Sequence, residues 1–179
     1  KDGVVTIPGD EQTVQEAPTA ADRAPWGITK VRAAEVHARG IKGAGIKVAV
    51  IDTGIAFTHP DLAPIYKGGA NFVTPANPPM DDHSHGTHCA GTVSAVLDEQ
   101  GIFGVAPSIE LYAVKVLNAQ GSGSWSAVIA AYDWCIQNGM HVTSNSYGSS
   151  AGSVALETAL NAAVDAGILM IFAAGNNGV

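Results

Sequence analysis

The segment 46–52 constrains the fold most, because it is almost continuously apolar and β-branched and ends on Asp52. Such a run is typical of a strand buried on both faces of a parallel sheet. Similar strand patterns alternate with helical patterns along the chain, at 109–116, 127–137, 140–146, 154–165 and 168–172. Alternation of this kind implies parallel pairing and right-handed crossovers. The sequence therefore predicts an α/β fold, a three-layer sandwich with a mostly parallel sheet.

The N-terminal residues 1–20 differ in composition from the rest of the chain. A short strand is predicted at 3–7, and a polar run containing two prolines follows it. Polar residues and prolines of this kind mark turns and linkers. We therefore predict an N-terminal extension at 1–20 and a main domain at 21–179. Within the domain, 60–79 is predicted to be a loop and 121–124 a flexible turn.

Composition limits the kinds of partner. Hydrophobic residues make up 46% of the chain and charged residues 14%, which is enough apolar material for a buried core. The net charge is −7 and no Lys or Arg cluster is present, which argues against nucleic acid and anionic membranes as partners. No apolar run approaches the length of a transmembrane helix. Cys89 and Cys135 both lie in predicted helices and are interpreted as buried free thiols.

A polar cluster occupies 81–88, where two aspartates and three histidines precede a helix of small residues. One interpretation is a catalytic histidine at the helix start, oriented by Asp52 from the carboxyl edge of the sheet, where functional groups of α/β folds gather. The other is a metal site formed by His83, His85 and His88. Spacing alone does not choose between them, and an Asp before Thr-Gly is also typical of a turn.

Three motifs resemble the subtilisin-like serine proteases, the subtilase family: Val-Ala-Val-Ile-Asp-Thr-Gly-Ile at 48–55, His-Pro-Asp-Leu at 59–62 and His-Gly-Thr-His-Cys-Ala-Gly-Thr at 85–92. The resemblance covers 21–179 as the N-terminal part of a catalytic domain. It implies a serine endopeptidase that works through an acyl-enzyme with an Asp-His-Ser triad. The corresponding catalytic residues are the orienting carboxylate, the base and the oxyanion donor, Asp52, His85 and Asn176.

The resemblance also implies a substrate groove and a calcium site. Two backbone edges would pair with an extended peptide, and an aromatic side chain would line an apolar pocket. These positions are Gly121, Ser122 and Gly123, then Ser146, Tyr147 and Gly148, with Trp125 at the pocket. A Ca²⁺ ion, which prefers oxygen ligands, would be held by carboxylates and by loop carbonyls. The carboxylates are Asp22, Asp61 and Asp98, and the carbonyls belong to Val96, Gln100 and Ile102.

The chain departs from the family pattern because no Gly-Thr-Ser-Met-Ala type of segment is present, so the nucleophilic serine is missing. We therefore expect this chain to be inactive alone and to need a C-terminal remainder of the catalytic domain. Cys89 stands where many relatives carry an aliphatic residue, which predicts sensitivity to thiol reagents. Residues 1–6 resemble the last strand of the family's inhibitory prodomain. That implies a secreted zymogen, cleaved between Pro8 and Ala21.

Three rival functions can be set against this interpretation. Gly-Ser-Ser-Ala-Gly at 148–152 matches a nucleophile elbow with Ser150, but no histidine follows His141 to complete that arrangement. A metallohydrolase would use the cluster of three histidines already described. An inactive fragment, or a binding module on a protease scaffold, would need no nucleophile.

Overall fold

The computed structural model describes residues 2–7 and 22–176. In these residues, short strands and helices alternate along the chain. The strands are β1 (Val4–Thr6), β2 (Lys47–Asp52), β3 (Tyr66–Asn71), β4 (Glu110–Lys115), β5 (Ser122–Ser124), β6 (Val142–Asn145) and β7 (Leu169–Phe172). The helices are α1 (Trp26–Lys30), α2 (Ala33–His37), α3 (His85–Ser94), α4 (Trp125–Gln137) and α5 (Val154–Asp165). No helix in the described part of the chain is both long and apolar enough to span a membrane.

The main sheet has five strands in the order β3-β4-β2-β6-β7, and every pair within it is parallel. Strand β2 lies at its centre, with Asp52 opposite Lys115 of β4 and Ile51 opposite Asn145 of β6. The carboxyl ends of these strands therefore meet at one edge. The predicted α/β fold with a mostly parallel sheet is confirmed.

The two faces of β2 pack into two different cores, because successive side chains of a strand point to opposite sides. Val48 and Val50 belong to a core that includes Ala90 of α3. Ala49 and Ile51 belong to a second core that includes Val128 and Tyr132 from α4 and Ala163 from α5. Helices thus cover both faces of the sheet, which is the three-layer arrangement predicted from the alternating pattern.

Strand β3 lies inside the stretch 60–79, which the sequence predicted to be a loop. Its sequence Tyr-Lys-Gly-Gly-Ala-Asn lacks β-branched residues and carries two glycines, so propensity gives only a weak strand signal. Gly69 instead allows the backbone of β3 to lie very close to β4. A Cβ at Gly69 would lie 1.8 Å from the Ala113 carbonyl oxygen of β4. Strand β5 lies in the predicted flexible turn, because a strand of three residues, Ser122–Ser124, is too short to give an alternating pattern.

The predicted N-terminal strand is present as β1 and packs against the main domain. It pairs antiparallel with β5, and Thr6 also pairs with Gly148. Val5 is only 2% exposed and packs into the core beneath α4. The predicted cleavage region between Pro8 and Ala21 falls outside the described residues.

Candidate active site

Asp52 lies at the carboxyl end of the central strand and is fully buried. Its Oδ1 atom accepts a hydrogen bond from the Thr53 N–H at 2.7 Å. A buried carboxylate is costly unless it is bound by donors or an opposite charge. The position therefore favours a partner that can donate a proton or carry positive charge.

That partner is His85, the first residue of α3. Its Nδ1 atom lies 2.8 Å from Asp52 Oδ1 and 3.0 Å from Oδ2. The contact with Asp52, followed by one with Cys89, raises the pKa of His85 above its ordinary value of 6.5, although burial opposes the shift. With Nδ1 held by the carboxylate, Nε2 is the ring nitrogen left to exchange a proton with a nucleophile.

Asp81 holds the turn before α3 in place. Its two oxygens accept hydrogen bonds from the Thr53 hydroxyl, the His83 and Ser84 N–H groups, and the Thr87 N–H and hydroxyl, at 2.5–3.0 Å. Ser84, the residue before the helix, makes no side-chain cap of its own. Burial works against ionisation of Asp81, but the bonds from Thr87 and His83 outweigh it and its pKa lies below the usual value. Asp81 thus caps the helix that carries His85.

Gly86 lets the helix start approach the strand end closely enough for the histidine to reach Asp52. A Cβ at this position would lie 2.2 Å from the Gly54 carbonyl oxygen and 3.1 Å from the Asp52 Cβ. The Gly86 N–H also donates to the Thr53 hydroxyl at 2.9 Å. A larger residue would push α3 away and lengthen the contact between His85 and Asp52.

Lys115 ties two loops together at the same edge of the sheet, and its side chain is almost fully buried. The ammonium group donates to the Thr53 carbonyl, to Asp82 Oδ1 at 2.6 Å and to the Leu117 carbonyl at 2.9 Å. Sequence reasoning missed Lys115 and the bonding of Asp81. A lysine at the end of an otherwise apolar strand was the available signal for the first, because such a charge needs several partners.

The three histidines do not form the proposed metal cluster. Among the described residues 2–7 and 22–176, one group of three possible metal ligands lies close together, with its ligand atoms within 4.8 Å of one another. It consists of Asp52, His85 and Cys89. The His83 ring centre is 6.4 Å from that of His85, and His88 is exposed one turn into the helix. Cys89 Sγ lies 3.8 Å from His85 Nδ1. This arrangement favours the catalytic interpretation of the cluster.

The predicted substrate edges flank β1. Gly121 accepts from the Ile7 N–H at 3.1 Å, and Gly123 pairs with Val5. On the other side, Gly148 exchanges two backbone hydrogen bonds with Thr6, at 2.9 and 3.0 Å. Of the remaining predicted positions, Ser122 pairs with Thr6 in β5, Ser146 is half-buried, and Tyr147 is buried with its hydroxyl donating to Asn145.

Trp125 begins α4 and is half-buried against the second core. Asn176 is exposed at the end of the described chain, beyond β7. Ser150, the rival nucleophile, is exposed in the loop before α5, and its segment does not pass directly from strand to helix. A nucleophile elbow requires that direct passage.

The predicted calcium ligands lie around the loop 96–102. Asp22 Oδ2 accepts from the Glu99 N–H at 2.5 Å, while its Oδ1 is buried without a hydrogen-bond partner. Burial, and then the nearby charges of Asp98 and Asp22, raise the pKa of Asp61. A partly buried carboxylate with an unpaired oxygen beside two other acids is the setting that a cation would relieve.

Comparisons with known proteins agree with this geometry. The profile of the subtilase family matches residues 43–179. The chain is 51% identical over 158 residues to subtilisin Savinase of Lederbergia lenta, covering 88% of this chain and 58% of that protein. It is 50% identical over 163 residues to an alkaline protease of Shouchella clausii, covering 91% of this chain and 42% of that protein. For subtilisin E of Bacillus subtilis (strain 168), the identity is 48% over 159 residues, with coverage of 88% and 41%.

A buried aspartate that orients a histidine at the edge of a parallel sheet is an arrangement that can activate a hydroxyl nucleophile. The chain belongs to the subtilase family. It spans about half the length of the curated relatives it matches.

Proposed function

We propose that the protein containing this chain is a serine endopeptidase, with Asp52 and His85 as two members of its catalytic triad. The observation that carries the proposal is the contact of His85 Nδ1 with both oxygens of buried Asp52, at 2.8 and 3.0 Å. The three relatives are named as a subtilisin or an alkaline protease, which supports the same chemistry. The residues 1–179 include no serine in a Gly-Thr-Ser segment, so the nucleophile would come from further chain.

In the proposed reaction, His85 Nε2 takes the proton of the serine hydroxyl as the oxygen attacks the peptide carbonyl. Asp52 stabilises the imidazolium and fixes its tautomer, and the Asn176 amide donates to the developing oxyanion. The proton then passes to the leaving amine, and water hydrolyses the acyl-enzyme. The substrate would be an extended peptide between the Gly121 and Gly148 edges, which already accept and donate such backbone bonds.

The test is hydrolysis of an internally quenched peptide by the full-length protein, before and after a fluorophosphonate label. We expect complete inactivation with the label on one serine outside 1–179. Labelling of Ser150 would contradict the proposal and restore the nucleophile elbow. Activity that survives the label but disappears on zinc removal would support a metallohydrolase instead.

We further propose that β1 acts as the end of an inhibitory prodomain. The support is that β1 pairs with β5 on one side and bonds to Gly148 through Thr6 on the other, with Val5 buried, as a substrate strand would in the proposed groove. Val5→Asp should expel the strand, because a charge cannot be buried without a partner. Hydrogen exchange at the Gly148 amide should then accelerate, whereas Val4→Asp, at a 57% exposed position, should leave it protected. Equal protection in both variants would contradict the proposal.

We also propose Ca²⁺ as a structural ion held by Asp22, Asp61 and Asp98 with the carbonyls of Val96, Gln100 and Ile102. The unpaired Asp22 Oδ1 atom supports the fit. In the described residues, the carboxylate oxygens of Asp22, Asp61 and Asp98 do not all lie within 4.8 Å of one another. A Ca²⁺ site does not require this, because two oxygens on opposite sides of the ion are about 5 Å apart. When bound, the ion would neutralise repulsion between the acids and pin the loop 96–102 to the segment before α1.

Calcium binding is tested by calorimetry and thermal unfolding with Ca²⁺ and with EGTA. We expect a rise in Tm of several degrees with Ca²⁺, lost in Asp61→Asn but kept in Asp133→Asn, which alters an exposed acid on α4. An equal response in both variants would exclude this site. We also propose that the protein is secreted, because calcium sites in loops suit the high calcium concentrations outside cells. Recovery of the protein only from the cell lysate, and not from the medium, would contradict secretion.

A further inference from the structure

Asn145 ends strand β6, and its side chain is buried with all of its polar groups bonded. Its side-chain carbonyl accepts from the Tyr132 hydroxyl at 2.7 Å and from the Tyr147 hydroxyl at 3.2 Å. Its side-chain nitrogen donates to the Thr143 hydroxyl and to the Ile171 carbonyl, both at 3.0 Å. Only 1% of Asn145 is exposed. An amide offers two donor and two acceptor sites, so this side chain is fully satisfied away from water.

This network joins three segments, because Tyr132 lies in α4, Tyr147 in the predicted substrate edge and Ile171 in β7. Burial raises the pKa of both tyrosines, which keeps their hydroxyls protonated as donors. Both tyrosines belong to the second core, where an apolar side chain at 145 would avoid the cost of burying an amide. A fully bonded network instead fixes one arrangement of the segments that it joins. The Asn145 amide therefore holds these three segments in place relative to one another.

The end of β7, which Asn145 holds, leads to Asn176. Besides its side-chain bond to β7, Asn145 accepts through its backbone carbonyl from the Ala173 N–H at 3.1 Å. Asn176 follows Ala173 by three residues, which is at most about 11 Å of chain. On its other side, Asn145 lies opposite Ile51, the residue before Asp52. One residue thus connects the strand of the catalytic carboxylate with the strand that precedes the proposed oxyanion donor.

We propose that Asn145 is a positioning residue for the oxyanion donor. By fixing the end of β7, it places the Asn176 amide where charge develops on the peptide carbonyl, and it touches neither the substrate nor the reacting atoms. The inference rests on the proposed function and deepens it, since Asn176 serves as a donor only in that reaction. Oxyanion stabilisation acts in the transition state and not in the bound substrate, so loss of the positioning lowers kcat and leaves KM unchanged.

The first test is steady-state hydrolysis of a quenched peptide by the full-length protein carrying Asn145→Ala. We expect kcat to fall about ten- to fiftyfold, with KM changed less than about twofold. Because this variant leaves buried hydroxyls without an acceptor and can fail to fold, Tyr132→Phe carries the same comparison. It removes one hydroxyl from the network at a fully buried position of α4 and should lower kcat about two- to fivefold, again without a change in KM.

Tyr112→Phe is the matched control for Tyr132→Phe. Tyr112 also packs against the second core, but its hydroxyl donates to Glu110 at 3.3 Å, at the opposite end of the sheet from Asn145. Its removal should leave kcat within about 1.5-fold of the unmodified protein. An equal loss of kcat in the two tyrosine variants would overturn the proposal, because it would show that the effect does not pass through Asn145.

The sharpest comparison uses a background without the donor. Asn176→Ala alone should lower kcat about 10²- to 10³-fold. If Asn145 acts through Asn176, adding Asn145→Ala or Tyr132→Phe to that variant should lower kcat less than about 1.5-fold further. The same fold loss with and without Asn176, or a loss that appears in KM, would overturn the proposal.

A second test does not depend on proteolysis. Hydrogen exchange at the Ala173 amide of the full-length protein reports how firmly the end of β7 is held. Asn145→Ala should accelerate it about tenfold and Tyr132→Phe less, while Tyr112→Phe leaves it unchanged. If no peptide is cleaved but this exchange accelerates, the endopeptidase proposal fails and the positioning of the segment 173–176 by Asn145 stands. If peptides are cleaved while exchange and kcat stay unchanged in both network variants, the positioning fails and the endopeptidase proposal stands.

Discussion

At the scale of single residues, the contact between His85 and Asp52 determines how the site responds to pH. The aspartate, and after it Cys89, raise the pKa of His85 above 6.5. The pair therefore contributes stability that is fully present below about pH 6.5 and is lost as the pH rises through the higher folded-state pKa. The proposed catalysis should depend on pH in the opposite direction, because His85 can act as a base only after it has lost the proton from its charged ring.

We predict that kcat/KM of the full-length protein rises with pH through a midpoint above 6.5. Cys89→Ala should move the midpoint to lower pH, because it removes the second contact that favours the charged ring. The measurement is a pH profile of peptide hydrolysis for both proteins. A midpoint at or below 6.5, or a shift to higher pH in Cys89→Ala, would show that these contacts do not tune the base.

The two cysteines should differ in reactivity. Cys89 is partly exposed, whereas Cys135 is buried and burial raises its pKa to about 12. Only a thiolate reacts readily, so iodoacetamide should label Cys89 in the folded protein and Cys135 only after unfolding. Mass spectrometry of the labelled peptides decides this. Because Cys89 Sγ lies 3.8 Å from His85 Nδ1, labelling of Cys89 should also abolish peptide hydrolysis by the full-length protein. The Cys89→Ala variant should resist this inactivation by iodoacetamide. Rapid labelling of Cys135 in the folded state would be contrary to the structure.

At the scale of elements, the start of α3 depends on Asp81 rather than on the residue that precedes the helix. Asp81→Ala leaves several partly buried donors without an acceptor, which should lower the free energy of unfolding by about 2–3 kcal/mol. Asp133→Asn, on the exposed side of α4, should cost less than about 0.5 kcal/mol. Urea unfolding at pH 7 measures both. Because the pKa of Asp81 is lowered in the folded protein, its contribution to the free energy of unfolding should be lost as the pH falls through that pKa. Equal destabilisation by Asp81→Ala and Asp133→Asn would refute the capping role.

Much of the element pattern was predictable, for identifiable reasons. Strands such as β2 and β4 are β-branched and apolar, and α5 follows a serine that caps it, as the Ser153 bond to the Leu156 N–H shows. Strand β3 escaped prediction because it is glycine-rich and owes its place to close packing on β4.

The site was predictable only through motifs. The resemblance identified Asp52 and His85, but the bonds of Asp81 depend on the left-handed conformation of Ser84, with φ of 90°, which no local pattern indicates. The contact of Asp2 with Ser126 joins residues 124 positions apart, and a pairing over that distance leaves no periodic signal.

At the scale of the whole molecule, the edge strand β7 exposes apolar side chains. Leu169, Ile171 and Phe172 are 61%, 52% and 46% exposed, and Val154 at the start of α5 is 81% exposed. An uncovered apolar edge strand favours association with another segment. We propose that the C-terminal remainder of the catalytic domain covers this edge, which agrees with the chain spanning about half of its relatives' length.

This proposal predicts that residues 1–179 alone bind a hydrophobic dye such as ANS and self-associate, whereas the full-length protein does not. Ile171→Lys should reduce association of the short chain, because a charge on an edge strand opposes edge pairing. Sedimentation velocity measures the association. A monomeric short chain that binds no dye would mean that β7 needs no covering segment.

We propose that His85, oriented by Asp52, is the catalytic base. This role is tested most directly by steady-state hydrolysis of a quenched peptide by the full-length protein carrying His85→Ala, with His88→Ala as the matched control three residues along the same helix. We predict that His85→Ala lowers kcat by about 10⁴-fold or more, while His88→Ala changes it less than about threefold. If His85→Ala keeps activity within about tenfold of the unmodified protein, or if both variants lose activity equally, His85 is not the base.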